Sequence, residues 1–197
     1  MYERKDAYYR QAKREGYRSR AAYKLAQIAS KEKAVRRGDK AIDAGSAPGG
    51  WSQVLQDLVG PKGKVAAVDL LPMGTLPGGN FRFWRRDLAE PALPAELLAF
   101  LGGKADVVVS DAAPNTTGSS FTDQARSGDL VRAVFSLARE TLRDGGTFLA
   151  KIFGGAEGDA VFRELKPHFR ELRRIRPEAT RKESFELYLL GKGYRNV

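Results

Sequence analysis

The stretch AIDAGSAPGGWSQVL, residues 41–55, decides how this chain reads. An apolar run ends on Asp43, glycines follow at positions 45, 49 and 50 around Pro48, and apolar residues resume at Trp51 with helical spacing. Residues 40–44 read as a buried strand and Trp51 to about Val59 as a helix. The glycines shape the turn between them, because glycine enters backbone regions that side chains forbid. At the end of a parallel strand, such a turn is where nucleotide-like ligands bind. The spacing is not G-x-G-x-x-G, and no G-K-[ST] follows, so an NAD site fits less well and a phosphate-binding loop is absent. Gly49 and Gly50 lie four and five residues after Gly45, which suits close approach of a ligand with a charged amino-acid tail.

Outward from this stretch the chain alternates. Residues 3–15 read as a charged helix broken near Gly16, and Ser19 as the N-cap of a second helix through Ile28. KVAAVDLL is a strand whose apolar run ends at Asp69, and FRFWRRD a short strand ending at Asp87. Pro94–Leu101 is a helix stopped by Gly102 and Gly103. ADVVVSD is a β-branched strand ending at Asp111, followed by a loop of small polar residues. Asp129–Leu142 reads as a helix, GGTFLAKIF as a strand, Glu157–Phe169 as a helix, and ELRRIRP and SFELYLLG as two closing strands. Alternation of short apolar strands with helices predicts a single α/β domain over residues 1–197, with a mainly parallel sheet and helices on both faces. The last two strands, with no helix between them, predict an antiparallel hairpin at one edge.

Composition narrows the chemistry. The 197 residues are 42% hydrophobic and 29% charged, enough for one domain with a sizeable core. There is no cysteine and one histidine, His168, read as a solvated helix-end residue. Disulfides, thiolate zinc sites, cysteine nucleophiles and histidine clusters are therefore excluded, and no metal is expected. No apolar run is long enough for a membrane span and the N-terminus has no signal-peptide pattern, which fits a cytoplasmic setting. Net charge is +10, and residues 1–40 carry 13 Lys and Arg against 5 Asp and Glu. A basic N-terminus suggests a polyanion, with nucleic acid the usual one, although a solvated helical face has the same composition.

Four strands end in an aspartate: Asp43, Asp69, Asp87 and Asp111. In a parallel sheet these ends share one edge, beside the ligand crevice. An acid after the second strand is placed to accept hydrogen bonds from ribose hydroxyls, and Asp69 fills that role. DAGSAPGGWSQVL, with RSRAAYKLAQI (18–28), VDLLPM (68–73), SDAAPNTTG (110–118), LAKIFGG (149–155) and SFELYLLGKG (184–193), resembles the FtsJ/RrmJ family of S-adenosylmethionine-dependent RNA ribose 2′-O-methyltransferases. The six segments occur in family order and span nearly the whole chain.

The resemblance implies a Rossmann-like class I methyltransferase fold with a seven-stranded sheet. It implies S-adenosyl-L-methionine as cofactor, held by Asp43, Gly45, Pro48, Gly49, Gly50, Trp51, Asp69, Leu70, Asp87, Leu88 and Asp111. Among these, Gly49 and Trp51 match positions at the methionine end, Asp69 the ribose-binding acid, and Asp87 a residue near adenine. The family's Lys-Asp-Lys-Glu set falls on Lys24, Asp111, Lys151 and Glu186. Glu183 is a nearby alternative to Glu186, but the E-L-Y context favours Glu186 and strand alternation sends Glu183 to the opposite face.

Methyl transfer to a ribose hydroxyl needs positioning and a base. With histidine scarce, Lys151 at the end of an apolar strand is the candidate base. The residues alone equally allow Lys151 and Lys24 to be surface lysines and Glu186 an edge-strand charge. A basic N-terminal helical extension, residues 1–30, would meet RNA phosphates through Arg4, Lys5, Arg10, Lys13, Arg14, Arg18 and Arg20, with Tyr8, Tyr9 and Tyr17 interleaved for stacking. Arg173, Arg174 and Arg176 form a second cluster. The substrate implied is large-subunit (23S) ribosomal RNA at a uridine, with the tRNA anticodon loop as the sister possibility. A non-catalytic RNA-binding module is disfavoured by the intact set of four. A monomer is the default for an enzyme that must approach a large RNA.

Overall fold

The structure is a computed structural model that describes residues 7–180 and 184–197. Two helices open it, α1 (Ala7–Arg14) and α2 (Ala22–Glu32). Then come β1 (Lys40–Ala44), α3 (Gly50–Val59), β2 (Lys64–Asp69), β3 (Phe81–Arg85), α4 (Leu93–Leu101) and β4 (Ala105–Ser110). The second half comprises α5 (Ser120–Thr141), β5 (Leu142–Phe153), α6 (Ala156–Leu165), a 3₁₀ turn at Lys166–His168, β6 (Phe169–Ile175) and β7 (Glu186–Tyr194).

The seven strands form one sheet in the order β3-β2-β1-β4-β5-β7-β6. The first five are parallel neighbours, and β7 runs antiparallel to both β5 and β6. The antiparallel pair therefore sits at the edge as expected, but the last strand of the chain lies inside it and β6 forms the rim. Chain order reverses between β1 and β4, so the crevice of the parallel sheet opens there.

Strand alternation divides the core into two layers. Ile42, Ala66, Val108, Phe148 and Ile152 face one side and pack under α4, α5 and α6. Ala41, Val65, Val107, Val109 and Leu149 face the other and pack under α2 and α3. Fully buried side chains such as Leu97, Leu137 and Leu55 each contribute about 1.5–3 kcal/mol by leaving water. Both faces of β1, β2 and β4 are covered, which is why their sequences read as unbroken apolar runs. Among the described residues, no helix is long and apolar enough to cross a membrane.

Several local expectations need correction. Ser19 does not cap α2 with its side chain; its carbonyl accepts from Ala22 N–H at 3.3 Å, and the helix begins there. β3 ends at Arg85, two residues before Asp87. Helix α5 starts at Ser120 rather than Asp129. Its first turn is poor in helix formers, but the Asp123 carboxylate gathers the preceding loop by accepting from Thr117 N–H, the Thr117 hydroxyl and Gly118 N–H. α6 gives way to the 3₁₀ turn before Phe169, where Pro167 supplies no N–H to continue the α-helical ladder. His168 is at that helix end but only half-exposed: its ring centroid lies 5.0 Å from that of Phe135, and Nδ1 is buried without a partner. Arg173 and Arg174 are not a free cationic patch; they pair with Glu32, Glu171 and Asp159, and Arg176 donates to the carbonyl of Ser184.

Candidate active site

The C-terminal edge of the sheet carries all four strand-end acids, and it divides into two halves. The first is the glycine turn between β1 and α3. Asp43 is fully buried, and its Oδ2 accepts from the Ser52 hydroxyl at 2.6 Å. Its Oδ1 has no protein partner. Burial pushes the Asp43 carboxyl up to about 7, reinforced by the charges of Asp111 and Asp69 and opposed by the Ser52 hydrogen bond. A buried acid with one orphaned oxygen fits a site whose ligand brings a hydrogen-bond donor and a positive charge.

Close packing explains the glycines. Gly45 has φ +77°, and a Cβ there would lie 2.4 Å from the Ala112 side chain in the loop after β4. A Cβ on Gly50 would lie 2.3 Å from the Ser19 hydroxyl. The turn thus draws the β4 loop and the segment before α2 against itself. Asp69, at the end of β2, accepts from Ala47 N–H and Leu71 N–H, both at 2.8 Å. Each of its oxygens keeps a lone pair for a further donor. Leu70 beside it is 62% exposed, an apolar surface next to an acid. Asp87 is exposed and turns its carboxylate onto Ala89 N–H, followed by half-buried Leu88. Trp51 departs from a simple lining role: its indole is buried, stacks on Tyr188 and donates to the carbonyl of Ala21 at 2.8 Å.

The second half gathers charge from four distant segments. Lys24 projects from α2, Asp111 follows β4, Lys151 lies on β5 and Glu186 opens β7. Lys151 Nζ lies 3.3 Å from Asp111 Oδ1 and 3.9 Å from Glu186 Oε1, and Lys24 Nζ donates to Glu186 Oε2 at 2.8 Å. Both lysines are buried, so neither is the surface lysine its sequence position alone would allow. Two cations and two anions form an alternating row that neutralises itself, which makes burial tolerable. Burial raises the Glu186 carboxyl, but the Lys24 hydrogen bond and the Lys24 and Lys151 charges outweigh it and hold it below its ordinary value. Glu183 lies outside the described residues.

Tyr188 belongs to this row and was not singled out from sequence. It sits opposite Lys151 across the β5–β7 pair, is fully buried, and donates to Asp111 Oδ1 at 2.6 Å. Burial and Asp111 push its hydroxyl well above the ordinary tyrosine value, so it remains a donor. The available signal was spacing, since a residue two positions after Glu186 shares its face of the strand. Among the described residues no three metal-ligating side chains converge.

The N-terminal cations separate into two groups. Arg10, Lys13 and Arg14 on α1 are exposed. The Arg18 guanidinium instead donates to the carbonyls of Gly74 at 2.5 Å, Thr75 at 2.9 Å and Pro48 at 3.4 Å. Its backbone N–H donates to Gln53, whose amide donates to the carbonyl of Gly16. Arg18 therefore staples the N-terminal segment to the glycine turn and to the loop after β2. Arg20 is half-buried, near enough to Tyr188 for its charge to be felt there. Tyr17 packs edge-on against Tyr23. Arg4 and Lys5 lie outside the described residues, as do the side chains of Tyr8 and Tyr9.

Known proteins carry the same arrangement of sequence. Residues 17–194 match the family described as FtsJ-like methyltransferase. The chain is similar to Ribosomal RNA large subunit methyltransferase E of Methanothermobacter thermautotrophicus, at 45% identity over 98% of this chain and 91% of that one. It is 47% identical to the protein of the same name from Archaeoglobus fulgidus, over 100% of both chains. Among solved structures, a Plasmodium falciparum chain described as a ribosomal RNA methyltransferase superposes with a TM-score of 0.79 at 26% identity, covering 90% of this chain and 98% of that one.

Proposed function

Because the chain belongs to the FtsJ-like methyltransferase family, we propose that it methylates a ribose 2′-hydroxyl of large-subunit ribosomal RNA, at a uridine, with S-adenosylmethionine as donor. One observation carries the reading: the buried row Asp111–Lys151–Glu186–Lys24, set beside the glycine turn. The names of the relatives support ribosomal RNA over tRNA as the acceptor.

S-adenosylmethionine, when bound, supplies an electrophilic methyl group on a sulfonium centre. The orphaned Asp43 Oδ1 is the acceptor for its charged amino-acid end. Gly45, Pro48, Gly49, Gly50 and the backbone of Trp51 form the floor. Asp69 keeps lone pairs for two ribose hydroxyls, and Leu70, Asp87 and Leu88 frame the adenine. At the reacting centre the 2′-oxygen is held near Lys151 and Asp111. Lys151 Nζ, once it has given one proton to water, takes the hydroxyl proton as the oxygen–carbon bond forms and the methyl–sulfur bond breaks, then passes that proton to water. Asp111 and Glu186 flank that nitrogen, so the positive charge it gains is stabilised in place. Lys24 neutralises Glu186, and Tyr188 fixes the Asp111 carboxylate. RNA phosphates run along α1, on Arg10, Lys13 and Arg14, toward Arg20 at the site.

The test uses methyl-labelled S-adenosylmethionine with large ribosomal subunits and tRNA, both lacking ribose methylation. Label on the 2′-oxygen of one ribosomal uridine is the expected result. Label on tRNA overturns the substrate, and label on a base overturns the reaction.

A further inference from the structure

A second concavity adjoins the reacting centre on the side away from the glycine turn. It is a pocket of about 370 Å³ between the start of α5, the end of β5 and the start of β7. Phe153, Phe185, Glu186, Gln124 and Ser120 line it, with the loop at Thr116 and Gly118 as its rim. Glu186 is shared: one wall of the pocket is a member of the buried charge row.

Its position follows from strand geometry. Lys151 and Phe153 lie on the same face of β5, two residues or about 7 Å apart. Glu186 stands opposite Phe153, and Tyr188 opposite Lys151. Along the sheet edge the order is glycine turn, reacting centre, pocket. In-line transfer puts the acceptor oxygen on the far side of the methyl group from the donor sulfur. The pocket shares Glu186 with the charge row, so it lies within reach of the base of a ribose whose 2′-oxygen is held at Lys151.

The lining has the chemistry of base recognition. Phe185 in that lining is 77% exposed, and Phe121, outside the lining but next to Ser120, is 85% exposed. Unstacked RNA bases are bound by stacking on aromatic side chains and by hydrogen bonds to their edges. Gln124 offers both donor and acceptor; its amide Nε2–H donates to the Ser120 hydroxyl at 2.9 Å. The rim is held by the Asp123 carboxylate through the Thr117 and Gly118 backbone, so Asp123 is occupied in shaping the loop. We propose that this pocket receives the base of the nucleotide whose ribose is methylated, with Phe185 as stacking platform and Gln124 reading the base edge. The inference rests on the ribose-methylation reading above.

The experiment compares the full-length protein with Phe185→Ala, Phe185→Trp and Gln124→Ala in steady-state methylation of unmethylated large subunits, with S-adenosylmethionine affinity measured alongside. Loss of a base stack lowers kcat/KM of Phe185→Ala by about 5- to 100-fold, while cofactor affinity is kept and Phe185→Trp recovers activity. If the wild type methylates a ribose and Phe185→Ala matches its kcat/KM, the pocket assignment is overturned and the function stands. If the wild type transfers no methyl group to RNA, the function falls and the pocket assignment falls with it. A photoreactive 5-iodouridine at the acceptor position gives an answer independent of folding in the variants. Crosslinking to Phe185 supports the assignment, and crosslinking confined to α1 or the glycine turn overturns it.

Discussion

The two halves of the sheet edge are built on opposite principles. The glycine-turn half works with backbone and with side chains that are missing: within one contiguous segment, residues 43–52, Gly45 and Gly50 leave no room for a Cβ, and Asp43 is a buried acid. The other half works with charged side chains drawn from positions 24, 111, 151 and 186, balanced against one another. The first half is specified by shape and the second by charge. Substitutions that are harmless in one should be damaging in the other.

The largest effect is expected from Lys151→Ala. If Lys151 is the base, single-turnover methyl transfer falls by about 10²- to 10⁴-fold with S-adenosylmethionine affinity retained. Near-wild-type transfer by this variant would remove the assigned division of labour. Next comes Gly45→Ala, which adds no charge but drives a Cβ into Ala112 from a left-handed backbone. Strain and displacement together cost about 2–4 kcal/mol, read as a fall in melting temperature and a loss of cofactor binding. An unchanged melting temperature would show that the turn is looser than its packing implies.

The third prediction concerns Asp43, the buried charge in the shape-built half. Its carboxyl is raised to about 7 in the folded protein, against an ordinary value of 3.8. Between those values the folded state binds a proton that the unfolded state has released, so stability is lost as pH rises through the window and levels off above about 7. The ligand-free protein should lose about 2 kcal/mol between pH 5 and pH 7, measured by urea unfolding, whereas Asp43→Asn should not. A flat profile in the unaltered protein would mean that Asp43 ionises freely in place.

The smallest effects separate the two kinds of N-terminal arginine and lysine. Arg18→Ala should weaken S-adenosylmethionine binding by about tenfold and leave the salt dependence of RNA binding intact, because its guanidinium is engaged by carbonyls of the glycine turn and of the loop after β2. Lys13→Ala should do the reverse, lowering the salt slope by about one. The opposite pattern would return Arg18 to the RNA surface.

Legibility differed between the halves for the same reason they differ in construction. The turn is local, so its strand, glycines and helix could be read from one fifteen-residue stretch. The four charged residues are scattered, and composition and spacing left them open to reading as surface groups. The roles proposed for them rest on resemblance to a family. Tyr188 escaped both routes, since it reads as one more apolar strand position until Asp111 is placed against its hydroxyl. The start of α5 was missed because Ser, Thr and Gly lack helix propensity, and a long-range arrangement around Asp123 overrode that preference.

The sequence by itself determined the alternation of strands and helices, the acids at the strand ends, the basic N-terminus and the exclusion of thiol and histidine-cluster chemistry. These follow from periodicity and composition, which act over a turn of helix or a few residues of strand. Only the tertiary structure decided that β7 lies inside the sheet with β6 at its rim, that Arg18 is a staple, that two lysines are buried, and that a pocket adjoins Glu186. Each of these depends on contacts between segments far apart in the chain: 30 residues between Arg18 and Pro48, 162 between Lys24 and Glu186. Such contacts form only when the layers close, because the hydrophobic packing of both faces brings those segments together.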